Sequence, residues 1–350
     1  MRCGFEVPAG ELASAAELLA EAVRTPALDD ATLDRVRDER IDEIHLDLSQ
    51  PGPRAAAAFA AALWEPASRY AIRDGGNLTS VGAITNDDIR DFHRARVGAD
   101  RATLIVAGDL DNADVDAIGR TVFDGWTPAG AAPAAPVVQP RDRGARVILV
   151  DRPGSVQSML FAGHDGPSRS IDDYVPMTTM ALALGGMFNS RLNFRLREDK
   201  GYTYGAFGGF ECRRHAGVFA ARAAVQTDVT AAALTDLLNE IRVMHADGLD
   251  DDELDLARRY RAGIFPVSFA GPGAVAAGLA DLVVHGFGDD HFDRLRADIE
   301  AVTADAVNAA AAARLRPDDL VSIVVGDAAS VEQSLRDAGF GAVEVVADED

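Results

Sequence analysis

Lysine is almost missing from this 350-residue chain: Lys200 is the only one, so nearly all of the positive charge is arginine. A bias of that kind is compositional and carries no functional weight. With 34 basic against 56 acidic residues the net charge is −22 and the pI about 4.6. Phosphate contacts need clustered Lys and Arg to release counterions, so this balance argues against a nucleic-acid partner and against an acidic lipid surface. Cysteine is nearly as scarce. Cys3 and Cys212 cannot make a disulfide framework and lack the paired spacing of a zinc ribbon, which fits a reducing cytoplasm. Nowhere do 18 apolar residues run uninterrupted by charge, and the N-terminus MRCGFEVPAG has no basic-then-apolar signal region, so the expectation is a cytoplasmic protein with no membrane partner. Nucleophile elbow, phosphate loop and dinucleotide fingerprint are all absent.

What is there suits two globular domains of α+β type: 350 residues, 48% of them hydrophobic, are too many for one ordinary core. Four prolines and repeated Ala and Gly in TPAGAAPAAPVVQPRDRG, residues 127–144, forbid either regular period and mark a linker. The domains expected are therefore 1–126 and 145–350. Before the linker, ELASAAELLAEAV and DDATLDRVRDERIDEIHLDL carry apolar residues at three-and-four spacing behind acidic caps and predict helices. After it, ARVILVDRP and SVQSMLFAGH predict strands.

An internal repeat says more than propensity does. TNDDIRDFHRARVGADRATLIVAGD from Thr85 matches TADAVNAAAAARLRPDDLVSIVVGD from Thr303 without a gap, pairing Thr85 with Thr303, Ile89 with Val307, Arg96 with Arg314 and Gly108-Asp109 with Gly326-Asp327. Each copy predicts a helix, an arginine-marked turn and a strand ending in Gly-Asp. Upstream, LDDATLDRVRDER from Leu28 lines up with LDDDELDLARRYR from Leu249 after a three-residue shift. On that alignment the first copy lacks its opening strand and first long helix, about 75 residues present in the second.

The densest stretch is LGGMFNSRLNFRLREDKGYTYGAFGGF, residues 184–210. Leu184, Phe188, Leu192 and Leu196 recur at i+4 and predict the buried stripe of one helix, with Arg191, Arg195 and Arg197 off that stripe and Gly201 ending it. YTYGAFGGFEC predicts a strand with Tyr202, Tyr204, Ala206, Gly208 and Phe210 on one side, and RRHAG turns it into VFAARAAVQ as a hairpin. The glycines leave room for a further backbone, and Arg197 and Tyr204 could orient a peptide carbonyl and stabilise an oxyanion there.

LGGMFNSRLNFRLREDKGYTYG resembles the second-domain signature of the insulinase/pitrilysin family of zinc metallopeptidases, which includes the mitochondrial processing peptidases. Leu184, Gly185, Gly186, Ser190, Arg191, Leu192, Leu196, Arg197, Glu198, Gly201 and Tyr204 fall where that pattern expects them. The resemblance implies two tandem duplicated α/β-sandwich domains closing like a clamshell, the first incomplete here, with Arg197 and Tyr204 as the substrate-orienting pair. It also implies a zinc ion bound by His-x-x-Glu-His on a first-domain helix, and a third ligand from a later helix, here Glu43, with Glu39 one turn earlier as second choice.

That zinc motif does not occur in the sequence: none of His45, His93, His164, His215, His245, His285 and His291 stands three residues before a Glu-His pair. One carboxylate cannot hold zinc. VVHGFGDDHF, with Asp289 and Asp290 between His285 and His291, reads as a polar turn, and DGLDDDELD begins a helix instead of a calcium loop. The expectation is a zinc metallopeptidase-like chain without its zinc-binding helix, inactive alone. The alternative is a non-catalytic subunit that orients a peptide or unfolded polypeptide and pairs, as homo- or heterodimer, with a related zinc-bearing chain.

Overall fold

The strands anticipated after residue 144 pair into one mixed sheet in the computed structural model, which describes residues 1–72, 74–130, 134–141, 144–340 and 342–348. Its strands are β1 (Arg146–Asp151), β2 (Gln157–Gly166), β3 (Ala206–Cys212), β4 (Gly217–Gln226), β5 (Val321–Gly326) and β6 (Val343–Ala347), in the order β3-β4-β2-β5-β1-β6. β1 runs parallel to β5 and β6, while β2 is antiparallel to β4 and β5, and β3 to β4. The sequence of β5, VSIVVG, has no polar alternation, as a strand covered on both faces requires, and every one of its residues is buried. The chain is of the α+β class.

Two compact units interleave along the chain. Ile44–Gly76, Pro136–Gly263 and Phe292–Asp350 form the larger, and Met1–Glu43, Asn77–Ala135 and Ile264–His291 the smaller. In the larger unit the helix Pro51–Leu63 lies on one face of the sheet, where Ala55, Phe59, Ala62 and Leu63 pack with Trp64 against Val150, Val321, Ile323 and Val325. Phe59 and Phe161 meet ring to ring at 4.8 Å. On the opposite face Leu149, Leu160, Ala162 and Val324 are fully buried, and the helix Thr230–Asp247 packs against β2 and β4. Part of the proline-rich stretch is held in the same unit: Trp64 bridges Pro140, and the Arg141 N–H donates to Leu63 O at 2.9 Å. Residues 131–133 and 142–143 of the expected linker lie outside the described residues.

Two helices of equal length, Asn86–Arg96 and Ala304–Arg314, are each opened by a threonine hydroxyl that accepts the N–H three residues on, Thr85 from Asp88 and Thr303 from Ala306. Each is followed by a three-residue 3₁₀ turn, Ala99–Arg101 and Pro317–Asp319. The two segments then part. Residues 321–326 form β5, whereas residues 102–108, read as a strand from sequence, form none. A strand exists only where a neighbour takes its backbone hydrogen bonds; β5 has β1 and β2 beside it, and among the described residues the smaller unit contains no strand.

A helix end packs directly on the backbone of β3. A Cβ on Gly185 would lie 2.3 Å from the Gly208 backbone N and 2.9 Å from Leu192 Cδ1, so backbone meets backbone there. Gly185→Ala is expected to destabilise by about 2 kcal/mol, the cost of overpacking where no flexible side chain can yield. Gly209→Ala, one residue along β3 from that contact, where a methyl meets nothing within 4 Å, should shift stability by less than about 0.5 kcal/mol. Urea denaturation midpoints of the two variants test the contrast.

Candidate functional site

The segment read from sequence as one helix is two, and its irregularity builds the site. The helix Tyr174–Ala181 runs into a π-helical turn, Leu182–Gly186, and stops. Met187 is extended, and the chain restarts as Arg191–Asn193 and a second π-helical turn, Phe194–Asp199. Leu184, Leu192 and Leu196 are fully buried as expected, but Phe188 is 65% exposed. The i+4 stripe fails at Phe188 because the break after Gly186 removes the helical geometry on which that spacing depends.

Gly201, with φ 65°, turns the chain out of the second π-helical turn. The Tyr202 N–H donates to Leu196 O at 2.8 Å and the Gly201 N–H to Arg197 O at 3.1 Å. Lys200 is exposed in this turn. Thr203 Oγ1 donates to Gly205 O and accepts the Gly205 N–H, and the buried Asn193 Oδ1 accepts the Ala206 N–H at 2.8 Å, which fixes where β3 begins. Tyr202 and Tyr204 therefore precede the strand instead of alternating within it. Tyr204 projects from the turn, 95% exposed. β3 is an edge strand of the sheet, paired with β4 on one side and with no described strand on the other.

Three arginines on this segment have three fates. Arg191 is held by Glu253 through both carboxylate oxygens, at 2.5 and 2.6 Å, and donates to Gly248 O at 2.7 Å. Those bonds hold its guanidinium above its ordinary value. Arg195 donates to Asp236 at 2.9 Å and to Asp199 at 2.6 Å. Arg197 has only a loose approach to Glu198, 3.6 Å from Nε to Oε1, and its Cζ lies 4.4 Å from the Phe188 ring centroid. Two of the three tie the segment to neighbouring helices. The third makes no such tie, and lies in the π-helical turn that precedes Gly201 and Tyr204.

Glu43 lies on the helix Asp30–Ser49 in the smaller unit, its side chain 64% exposed and paired with Arg40 at 2.8 Å. Glu39 pairs with Arg35 at 2.6 Å. Ion pairs this exposed are worth about 0–1 kcal/mol and release easily. Among the described residues no group of three or more His, Cys, Asp or Glu is placed to hold a metal, so the donor set does not fit zinc. The polar turn after His285 does not supply one: the His285 and His291 rings stack on Phe287 with centroids 5.5 and 4.1 Å away. His164 is structural, 1% exposed, its Nε2 accepting the Arg316 N–H and its Nδ1 donating to Asp165 O.

Sequence reasoning missed the Arg191–Glu253 pair and Asn193. No local signal joins Arg191 to a glutamate sixty-two positions away. The asparagine stands inside an apolar helix pattern, where a polar side chain with a backbone partner is the signal that could have found it.

The Arg197 and Tyr204 named through the insulinase/pitrilysin resemblance lie on either side of the turn at Gly201, just before an edge strand. Residues 83–260 match the family described as Peptidase M16 inactive domain, and the chain belongs to the peptidase M16 family. An uncharacterized zinc protease of Mycobacterium leprae is 26% identical over 260 residues, 73% of this chain and 57% of that protein. The chain thus spans little more than half the length of this curated relative. A crystal structure of a peptidase M16 inactive domain from Pseudomonas fluorescens superposes with a TM-score of 0.79 at 24% identity, over 89% of this chain and 74% of that one. A chain of complex III from Candida albicans gives 0.75 at 12% identity, over 96% and 82%. These likenesses show the fold. Among the described residues no single helix is long and apolar enough to cross a membrane.

Removing one member of the Arg191–Glu253 pair leaves the other half-buried and unpaired. Arg191→Ala is expected to cost about 2–3 kcal/mol, with part recovered in the Arg191→Ala/Glu253→Gln double variant, measured by a denaturation cycle. Burial pushes the Glu240 carboxyl up, against the pull of Arg191 and Arg195. A raised carboxyl takes up its proton more readily in the folded chain, so its ionisation costs stability above that value, and the cost fades as the pH falls through it. Glu240→Gln should therefore raise the melting temperature at neutral pH, with the gain shrinking toward acid pH in a series of melts.

Proposed function

We propose that this chain binds an extended peptide or unfolded polypeptide and orients it, with Arg197 and Tyr204 as the gripping pair, as the substrate-holding half of an M16-type site that does not cleave on its own. The observation that carries the reading is the different use of the three arginines: Arg191 and Arg195 are tied to carboxylates on neighbouring helices, while Arg197 has a 3.6 Å approach to its neighbour Glu198, and Tyr204 is exposed just before the edge strand β3. A peptide lying along β3 gains backbone hydrogen bonds from the strand. The guanidinium and phenol donate to its carbonyl oxygen, holding the bond in place and favouring negative charge on that oxygen.

The partner is a related, metal-bearing peptidase chain, which pairs with this one in a reducing compartment. A fold shared with a chain of complex III from Candida albicans is compatible with a pairing role. Duplication of one ancestral unit is supported by the equal helices capped by Thr85 and Thr303. A second reading, hydrolysis at a zinc centre to which Glu43 contributes, draws on the zinc-protease names of the relatives and on the exposed, easily released Glu43 carboxylate.

Purified chain should bind fluorescein-labelled peptides, measured by anisotropy, without cleaving them. Tyr204→Phe and Arg197→Ala should each weaken binding about tenfold, while the melting temperature stays within a degree or two, since both side chains sit at the surface. Glu43→Gln should leave binding unchanged. One equivalent of zinc after purification, together with hydrolysis abolished by Glu43→Gln, would select the second reading. Absence of any peptide binding would overturn the first.

A further inference from the structure

In the smaller unit residues 102–108, ATLIVAG, have the side-chain geometry of a strand without its neighbours. The chain leaves the preceding 3₁₀ turn extended, with Ala102 at φ −102° and ψ 143°. Leu104 and Val106 pack on a small core of Ala16, Ile118 and Val122, while Ile105 between them does not join that cluster, as strand alternation requires. Among the described residues no backbone N–H or C=O of 102–108 makes a hydrogen bond. Leu104, Ile105, Val106 and Ala107 are nevertheless half-buried, where unpaired backbone groups are costly.

A groove of about 730 Å³ is lined by Leu104, Ile105 and Val106 and by Leu279, Leu282 and Val283 of the helix Pro272–His285. Successive strand side chains point to opposite faces, so a groove that touches three in a row follows the edge of the segment, where the backbone groups point. Its volume lies within the range of small-molecule pockets, about 300–1,000 Å³. An alkyl or aromatic ligand, however, would cover the backbone groups of 104–106 without pairing them, whereas an extended backbone brings donors and acceptors in register. The internal repeat carries the same point. Residues 103–108 correspond to β5, where Ile323 and Val324 are paired with Ile148 and Leu149 of β1 and with Phe161 and Leu160 of β2. All six described strands already share one sheet, so residues 1–350 hold no spare strand among those described. Charge sets the chemistry of the occupant. Asp109 and Asp111 are exposed just after the segment, exposed Asp289 lines the groove, and none of the three makes an ion pair. They attract a basic residue at the end of an added strand, and the net charge of −22 on each chain disfavours a second copy.

We infer that residues 102–108 accept a β-strand from a different protein chain, one that is apolar along its length and carries arginine or lysine at the end that reaches Asp109 and Asp111. The inference concerns the smaller unit alone and does not rest on the peptide-gripping reading at β3.

The probe is the peptide Arg-Thr-Val-Ile-Val-Thr-Val-Arg, compared with a twin N-methylated at alternate residues and a twin with Glu in place of both Arg. Affinity is read by hydrogen exchange with mass spectrometry, from the protection of residues 103–108 over a peptide titration. In the chain alone these amides should exchange freely while those of β5 are protected. The probe should protect them, and each twin should bind about tenfold or more weakly, one for lost backbone donors and the other for like charge. Asp109→Asn/Asp111→Asn should narrow the gap between the Arg and Glu peptides and leave the melting temperature within a degree or two, since both side chains are exposed. Tyr204→Phe should leave the protection of 103–108 unchanged, which separates this surface from the site at β3. Equal binding of the N-methylated twin would mean a site for side chains only and would overturn the inference. So would protection that grows with protein concentration in the absence of peptide, the mark of a second copy, or no protection at saturating probe.

Discussion

Everything distinctive about the larger unit depends on two backbones being allowed to touch at Gly185 and Gly208. Ordinary helix–sheet packing keeps a layer of side chains between the backbones. Here that layer is absent at one point, and the helix end sinks onto β3 with Leu192 filling the flank. The π-helical turn that holds Gly185 follows from the same demand, because an extra residue in a turn lets the chain leave its helical path toward the strand. Once the end is seated, the chain has little choice but to break, restart and turn at Gly201. Position of the exposed turn is a product of close packing below it.

The segment also separates structural from available charge by giving each arginine a different depth of partner. A guanidinium with a two-point carboxylate partner and a carbonyl, as at Arg191, is committed: its removal would strand a half-buried carboxylate. Arg197, over a ring and at the edge of ion-pair range, gives up little when a better acceptor arrives. A site that must grip and release is better served by the second kind. The net charge of −22 on the chain disfavours anions, relative to neutral polarised carbonyl oxygens, as ligands.

Much of this was legible in the sequence, and the reasons differ by element. β1 and β2 were visible because short apolar runs closed by turn residues have few other uses, and the hairpin of β3 and β4 was marked by its turn. The threonine-capped helices were visible through the spacing of caps and apolar residues. Where the reading went wrong, a local pattern was asked to answer a non-local question. The stripe through Phe188 assumed an unbroken helix, but the contact that breaks it comes from a strand more than twenty residues later. Residues 102–108 have the composition of β5, yet composition supplies no neighbours. The motif that carries the family resemblance located Arg197 and Tyr204, and the geometry that distinguishes Arg197 from Arg191 required partners sixty positions away.

Lys200, which seemed only a curiosity of composition, occupies the turn between Arg197 and Tyr204 and is exposed there. Among the side chains of this 350-residue sequence it is the one primary amine. Amine-selective chemistry is therefore addressed, without engineering, to the turn on which the gripping pair sits: a dye, a crosslinker or a surface tether coupled at Lys200 would report from that turn or obstruct it.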